Sequence, residues 1–279
     1  MTQIVGLTHD NFDEVNASPV WARRGTVHIA GLPDSLQSLI VSLSSTSQMT
    51  SKQVSQSLME ANVNAADLQD WATFDHAVTD SYGRKLVYNG GYFEIMVMSW
   101  LPGDVSAIHD HGQTQWGAVQ CFGHGIHTVY RLADGVLSTE SEESLLPSQI
   151  LNVSHSLIHQ MSNYSQERFF SLHVYGCNDK QDIITGDARV FDLLEGKVQH
   201  TNGGVFFCLP ESEIVRRGQD LKAARLTSLK HHRQMRDRIL SIISNSPNNS
   251  NRNLDYWQSK LALVEKKIQE RSTTISLVG

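Results

Sequence analysis

The sequence predicts a mainly β protein: a barrel of short strands, preceded by helices and followed by a helical hairpin. Three observations carry this. Between about residues 84 and 207, runs rich in Val, Ile, Phe and Tyr are bounded by Gly, Asn, Asp and Pro, which is the texture of an antiparallel sandwich or barrel. Residues 33–72 place apolar side chains at helical spacing. After Glu211 helical texture returns together with a reversal of charge.

Residues 1–30 have mixed patterns and yield no definite element. Pro33-Asp34-Ser35 reads as a helix start, with Leu36, Leu39, Ile40 and Leu43 on one side. A second helix is expected over residues 51–60, and Asn64 can cap a third beginning at Ala65. Strands are expected at 84–88, 92–100, 117–121, 128–131, 149–153, 168–175 and 189–193. In the tail, Leu254, Trp257, Leu261, Val264 and Ile268 repeat at 3, 4, 3, 4, a heptad seam. Ile214, Leu221, Met235 and Ile242 extend sevenfold spacing upstream, and residues 244–253, with Pro247 and five Asn, read as the turn between two helices. The seam is expected to pack on the body; a contact between copies is the other use for it.

From Glu211 onward there are 13 Lys/Arg against 7 Asp/Glu, whereas the first 210 residues hold 10 against 22. That step marks a boundary near Pro210, and with the change from helical to strand texture upstream it gives an N-terminal helical region (1–80), a barrel (81–210) and a helical extension (211–279). All the chemistry proposed below lies upstream of the extension, so the extension is expected to be separable from the site. The net charge of −6 argues against general nucleic-acid binding. Apolar runs fall far short of the ~20 residues needed to cross a bilayer, and the first ten residues lack a basic start followed by an apolar stretch. Cys121, Cys177 and Cys208 are widely spaced and odd in number. They suggest neither a disulfide framework nor a paired-cysteine metal site, and they fit a cytoplasmic protein.

His109-Asp110-His111 follows a strand-like run and a Pro102-Gly103 turn. On an extended segment residues i and i+2 share a face, so both imidazoles can reach one ion while Asp110 points away. A third ligand can come from His159, or from His155 nearby. Ser171, His173 and Tyr175 stand at i, i+2 and i+4 of a strand. A polar row pointing into a barrel is costly unless hydrogen-bonded, and a hydroxyl–imidazole–phenol relay satisfies all three groups. Tyr82 and Arg84 are likewise two apart, and the Arg fork suits a carboxylate.

These spacings resemble the two cupin motifs: Gly103, five residues, His109-x-His111 and later Gly123, then His159-x-x-x-Asn163. The usual Glu of the first motif is replaced by Trp116, leaving three neutral His, as in the thiol dioxygenase branch and in particular cysteine dioxygenase. Ser171-x-His173-x-Tyr175 and Tyr82-x-Arg84-x-Leu86-Val87 match two further segments of that family, in the right chain order, and the resemblance covers roughly residues 60–210.

The resemblance implies a cupin barrel holding Fe(II) on His109, His111 and His159 and oxidising L-cysteine to cysteine sulfinate with O₂. Three His leave half of an octahedral shell open for thiolate, amine and O₂. Arg84, beside Tyr82, would hold the substrate carboxylate. Tyr175 would hydrogen-bond at the reacting centre, with His173 and Ser171 fixing its hydroxyl. Mammalian members join the motif Tyr to a Cys by a thioether; counted without gaps, that Cys position is Trp116, so no cross-link is expected, and a bulky Trp there is expected to reshape the pocket. A 3-mercaptopropionate dioxygenase and a non-catalytic metal-binding cupin are the alternatives. The partners implied are a small thiol and O₂, with neither nucleic acid nor membrane, and the tail is a candidate surface for self-association.

Overall fold

The computed structural model describes residues 29–45, 48–245 and 251–273. The stretch up to residue 28 and the centre of the Pro247 turn, 246–250, lie outside the described residues. Helices α1 (Asp34–Ser44) and α2 (Ser51–Ala61) come first. A reciprocal capping box between Thr50 and Gln53 starts α2. Asn64 does cap the next element by accepting from the backbone N–H of Ala66 and Asp67, but that element (Ala65–Trp71) is a 3₁₀ helix.

Among the described residues twelve strands follow: β1 (Gly83–Asn89), β2 (Phe93–Trp100), β3 (Trp116–Cys121), β4 (Gly125–Ala133), β5 (Val136–Leu145), β6 (Ile150–Ser154), β7 (Ile158–Ser162), β8 (Phe169–Gly176), β9 (Ala188–Asp192), β10 (Lys197–Thr201), β11 (Ile214–Gly218) and β12 (Lys222–Ala223). One sheet has the order β1-β2-β8-β3-β6; the others are β12-β5-β4-β7 and β11-β10-β9. The two smaller sheets are joined by residues 105–111. His109 exchanges both backbone hydrogen bonds with His159 of β7 (3.0 and 2.9 Å), while Asp110 donates to Arg189 and Ile108 accepts from Phe191, both of β9. The fold is a cupin barrel with helices on either side of it in sequence.

Period-two alternation sorts the large sheet into two faces. Phe93, Ile95 and Val97 of β2 and Leu172 and Val174 of β8 pack outward with Leu36, Leu39, Ile40, Val54 and Leu58 of the two N-terminal helices. Met96, Met98 and Trp100 of β2 and Tyr175 of β8 face inward. Both central strands are therefore buried on both faces. This explains why residues 93–100 read as one apolar run.

Helical texture read from Glu211 begins instead at Arg225. Residues 214–218 and 222–223 are strands, and a 3₁₀ turn occupies Glu211–Glu213. Ile214 and Leu221 thus belong to no helical seam; the apparent sevenfold spacing spans a sheet edge. Helices α3 (Arg225–Asn245) and α4 (Asn251–Thr273) follow. Trp257 and Val264 of the heptad are buried with Met235, Ile239 and Ile242 of α3 and with Val105, Leu194 and Phe207 of the barrel. Among the described residues, no helix is long and apolar enough to cross a membrane. All three cysteines are free and buried.

Candidate metal centre

His109, His111 and His159 offer ring nitrogens that all lie within 4.8 Å of one another, and all three side chains are buried. Two come from the 105–111 segment and the third from β7, its immediate backbone partner. Asp110 turns away, as alternation requires: its Oδ2 accepts from Arg189 Nε at 2.5 Å and its Oδ1 accepts from the Arg189 backbone at 2.8 Å. His155 is not in this group; its Nδ1 lies 3.2 Å from the Thr114 carbonyl.

Electrostatics suit a cation. Burial lowers the pKa of His109 to about 4 and holds His111 and His159 well below the ordinary imidazole value, and neighbouring imidazoles push the last two in the same direction. All three are neutral donors at neutral pH, as metal ligation needs. His109 Nδ1 donates to the Ala107 carbonyl at 2.9 Å, which leaves its Nε2 with a free lone pair. Both nitrogens of His111 are buried without a hydrogen-bond partner. An unpaired buried nitrogen is expensive, and a metal ion on this face would satisfy one of the two.

The inward row of β8 forms a continuous relay. Ser171 Oγ is 2.7 Å from His173 Nε2, and His173 Nδ1 is 2.7 Å from the Tyr175 hydroxyl. Trp100 Nε1 donates to Ser171 Oγ at 2.9 Å. The indole can only donate, and Ser171 has one proton and is fully buried. Every buried group is satisfied if Ser171 donates to His173 Nε2 and His173 Nδ1–H donates to Tyr175. The Tyr175 proton is then free to point into the pocket. Burial lowers His173 to about 3 and pushes the Tyr175 phenol well above its ordinary value, against the pull of the Arg84 guanidinium.

The same pocket is lined by Tyr82 and Arg84, with Met98, Met161 and Val205 as apolar walls. Arg84 Nη2 is 3.5 Å from Thr185 Oγ1, at the outer limit of a hydrogen bond. Tyr82 accepts from the Val205 backbone N–H at 3.0 Å and stacks on Trp100; burial raises its phenol to about 12.

Trp116 does not reshape this pocket. It lies on the outer face of β3, packed with Phe93, its indole over Gly176 and its Nε1 donating to Asn178 at 3.1 Å. Gly117 is the residue opposite Tyr175 in the β3–β8 ladder.

Sequence reasoning missed three contributors: Trp100 at the head of the relay, His127 against the outer nitrogen of His159 at 2.8 Å, and Gln234 of α3. Gln234 Nε2 donates to Gln160 Oε1 at 3.2 Å, beside His159 on β7, and to the Tyr164 hydroxyl at 2.7 Å. The tail therefore touches the strand that carries the third His, a contact its position in the sequence does not suggest.

Fold and site together define a cupin with a three-histidine group able to hold a metal. The family model for Cysteine dioxygenase type I matches residues 27–179, just over half of the chain. The chain belongs to that family. Cysteine dioxygenase type 1 of Danio rerio is 31% identical over 152 residues, covering 51% of this chain and 75% of that protein. The Homo sapiens protein is 30% identical over 126 residues, covering 43% and 62%. Among solved structures, a double-stranded β-helix protein from Klebsiella pneumoniae aligns with a TM-score of 0.31 at 15% identity over 43% of this chain and 93% of that one. A cupin-2 domain from Rhodospirillum rubrum aligns with a TM-score of 0.30 at 18% identity, over 39% and 69%.

Proposed function

We propose that this chain is a mononuclear non-haem iron dioxygenase that oxidises L-cysteine to cysteine sulfinate, adding both atoms of one O₂ to the thiol sulfur (RSH + O₂ → RSO₂H). The observation that carries the reading is the convergence of a neutral three-His face and the Trp100–Ser171–His173–Tyr175 relay on one pocket that also holds Arg84.

In this reading His109, His111 and His159 hold the iron, which supplies the redox chemistry that joins oxygen to sulfur. Arg84 binds the substrate carboxylate through its fork and so fixes the distance of the thiol from the metal face, a positioning role. Tyr175 stays protonated and donates its O–H at the reacting centre. His173 and Ser171 hold that hydroxyl in place. Met98, Met161 and Val205 keep the wall beside the sulfur apolar and limit water.

The test is O₂ uptake by Fe(II)-loaded protein with cysteine, 3-mercaptopropionate and cysteamine, with mass spectrometry of the products. Cysteine is expected to consume one O₂ per thiol and to gain two oxygen atoms. Arg84→Gln is expected to lower kcat/KM for cysteine by about 10- to 100-fold, the worth of a charge-assisted hydrogen bond. Cysteamine, which has no carboxylate, should be a poor substrate and indifferent to the change. A native preference for 3-mercaptopropionate would move the substrate assignment to that thiol. Absence of O₂ uptake with every thiol would leave a metal-binding cupin without this activity.

A further inference from the structure

His127 belongs to none of the family motifs. It sits on β4, buried, with its ring nearly perpendicular to that of His159 and 5.0 Å from it. Its Nε2 lies 2.8 Å from His159 Nδ1, and on the other side of His159 the Nε2 atom lies 3.2 Å from His109 Nε2. Two buried neutral rings in contact hold one ring proton each, and a single proton occupies each contact.

His109 spends its own proton on the Ala107 carbonyl, which can only accept. The 3.2 Å contact between the two Nε2 atoms is therefore a hydrogen bond only if His159 carries its proton on Nε2. In that state His127 Nε2–H must be the donor to His159 Nδ1. A metal ion needs the opposite arrangement: a bare Nε2 on His159 and hence a proton on Nδ1. That proton is accommodated only if His127 Nε2 has become an acceptor, with its own proton on Nδ1.

We propose that His127 is a positioning residue that sets the tautomer of His159 and lets it exchange between a metal-free and a metal-ready form. The inference rests on the three-His reading of the site. The protons balance. His159 loses one from Nε2 to solvent and receives one on Nδ1 from His127 Nε2; His127 takes one from solvent on Nδ1. Metal entry thus changes two tautomers without a net proton release from this pair. Outer partners of metal-bound His change metal affinity by about 10- to 100-fold, and that range sets the expected effect.

The experiment uses the full chain with Zn²⁺ as a diamagnetic probe. Zn²⁺ affinity is measured by chelator competition, and the tautomers are read from long-range ¹H–¹⁵N correlations of ¹⁵N-histidine protein. In the native chain, His159 is expected to move its proton from Nε2 to Nδ1 on Zn²⁺ binding, and His127 to move its proton from Nε2 to Nδ1. His127→Phe and His127→Leu, checked for native circular dichroism, should weaken Zn²⁺ binding by about 10- to 100-fold. His127→Gln, whose amide oxygen can accept, should recover most of that loss. Unchanged affinity in both apolar variants, or a Gln variant as weak as Phe, would overturn the proposal. His111→Ala is the control for the underlying reading: if it leaves Zn²⁺ affinity intact, the three-His site itself is wrong. If it abolishes binding while His127→Phe does not, only the tautomer proposal fails.

Discussion

Trp100 fixes the direction of the protons in the relay, because an indole has no lone pair to offer in return. The consequence separates two substitutions that look alike. Tyr175→Phe removes the O–H that points into the pocket but keeps the ring packed, so the metal site should survive. Trp100→Phe keeps Tyr175 but releases Ser171 to turn its proton elsewhere, so Tyr175 is oriented less often without being lost. Tyr175→Phe is expected to lower kcat by about 10- to 100-fold, in line with a hydrogen bond made at the reacting centre. Trp100→Phe is expected to give a smaller loss, with metal content unchanged in both. Steady-state kinetics beside iron quantitation checks this. A Trp100→Phe loss as large as that of Tyr175→Phe would mean that the relay acts as one unit.

At the scale of elements, α3 is tied to the barrel by Arg238. Its Nη1 donates to Asp104 Oδ1 at 3.0 Å, while His76 Nε2 lies 3.1 Å from Asp104 Oδ2 and the Leu101 backbone N–H donates to the same oxygen at 2.6 Å. Both Arg238 and Asp104 are buried. Removing one partner of a buried pair costs about 3–5 kcal/mol because the other charge is left behind. Arg238→Met should destabilise towards the lower end of that range, since His76 and Leu101 still serve Asp104. The added change Asp104→Asn should restore part of the loss, and urea unfolding of the two single variants and the double variant measures the coupling. Nothing in the sequence announced this pair, because residues 104 and 238 meet only once the chain has folded. The same limit explains other misses. Strand β5 reads Val-Leu-Ser-Thr-Glu-Ser-Glu-Glu-Ser-Leu, mostly exposed and poor in strand-favouring residues, so its alternation is faint. His127 has no motif around it and acquires meaning only through the β4–β7 ladder. What was legible was local: the period-two polar row at 171–175, the two-residue spacing of His109 and His111, and the Val- and aromatic-rich central strands. Trp116 was misplaced because gap-free counting cannot tell which face of a strand a residue takes.

At the scale of the whole molecule, among the described residues the barrel and tail bury seven imidazoles whose pKa burial lowers, His127 and His232 among them. Burial lowers His109 to about 4 and His173 and His231 to about 3, with His111 and His159 also well below the ordinary value. In the unfolded chain each takes up a proton below about pH 6.5. Between that value and the folded values the unfolded state binds more protons, so stability falls as pH falls. Each imidazole contributes on the order of 1 kcal/mol per pH unit once pH is well under 6.5. The metal-free protein should therefore lose several kcal/mol between about pH 6.5 and 5.5, seen as a steep drop in the urea midpoint. A flat midpoint across that window would mean that these rings are charged or exposed in solution.

Gly117 gives the chain a simpler life history than a family member that must tie its motif tyrosine to a cysteine. A Cβ at this position would stand 2.4 Å from the Val174 carbonyl oxygen and 3.2 Å from the Tyr175 ring, so the backbone leaves no room for a side chain, thiol-bearing or otherwise. A thioether to Tyr175 is therefore not expected to start from this position. If the chain is the dioxygenase proposed above, newly made protein would need only its metal to be complete, and turnover is expected to begin without the lag that a self-modifying catalyst would show; mass analysis of tryptic peptides is expected to find Tyr175 linked to no cysteine.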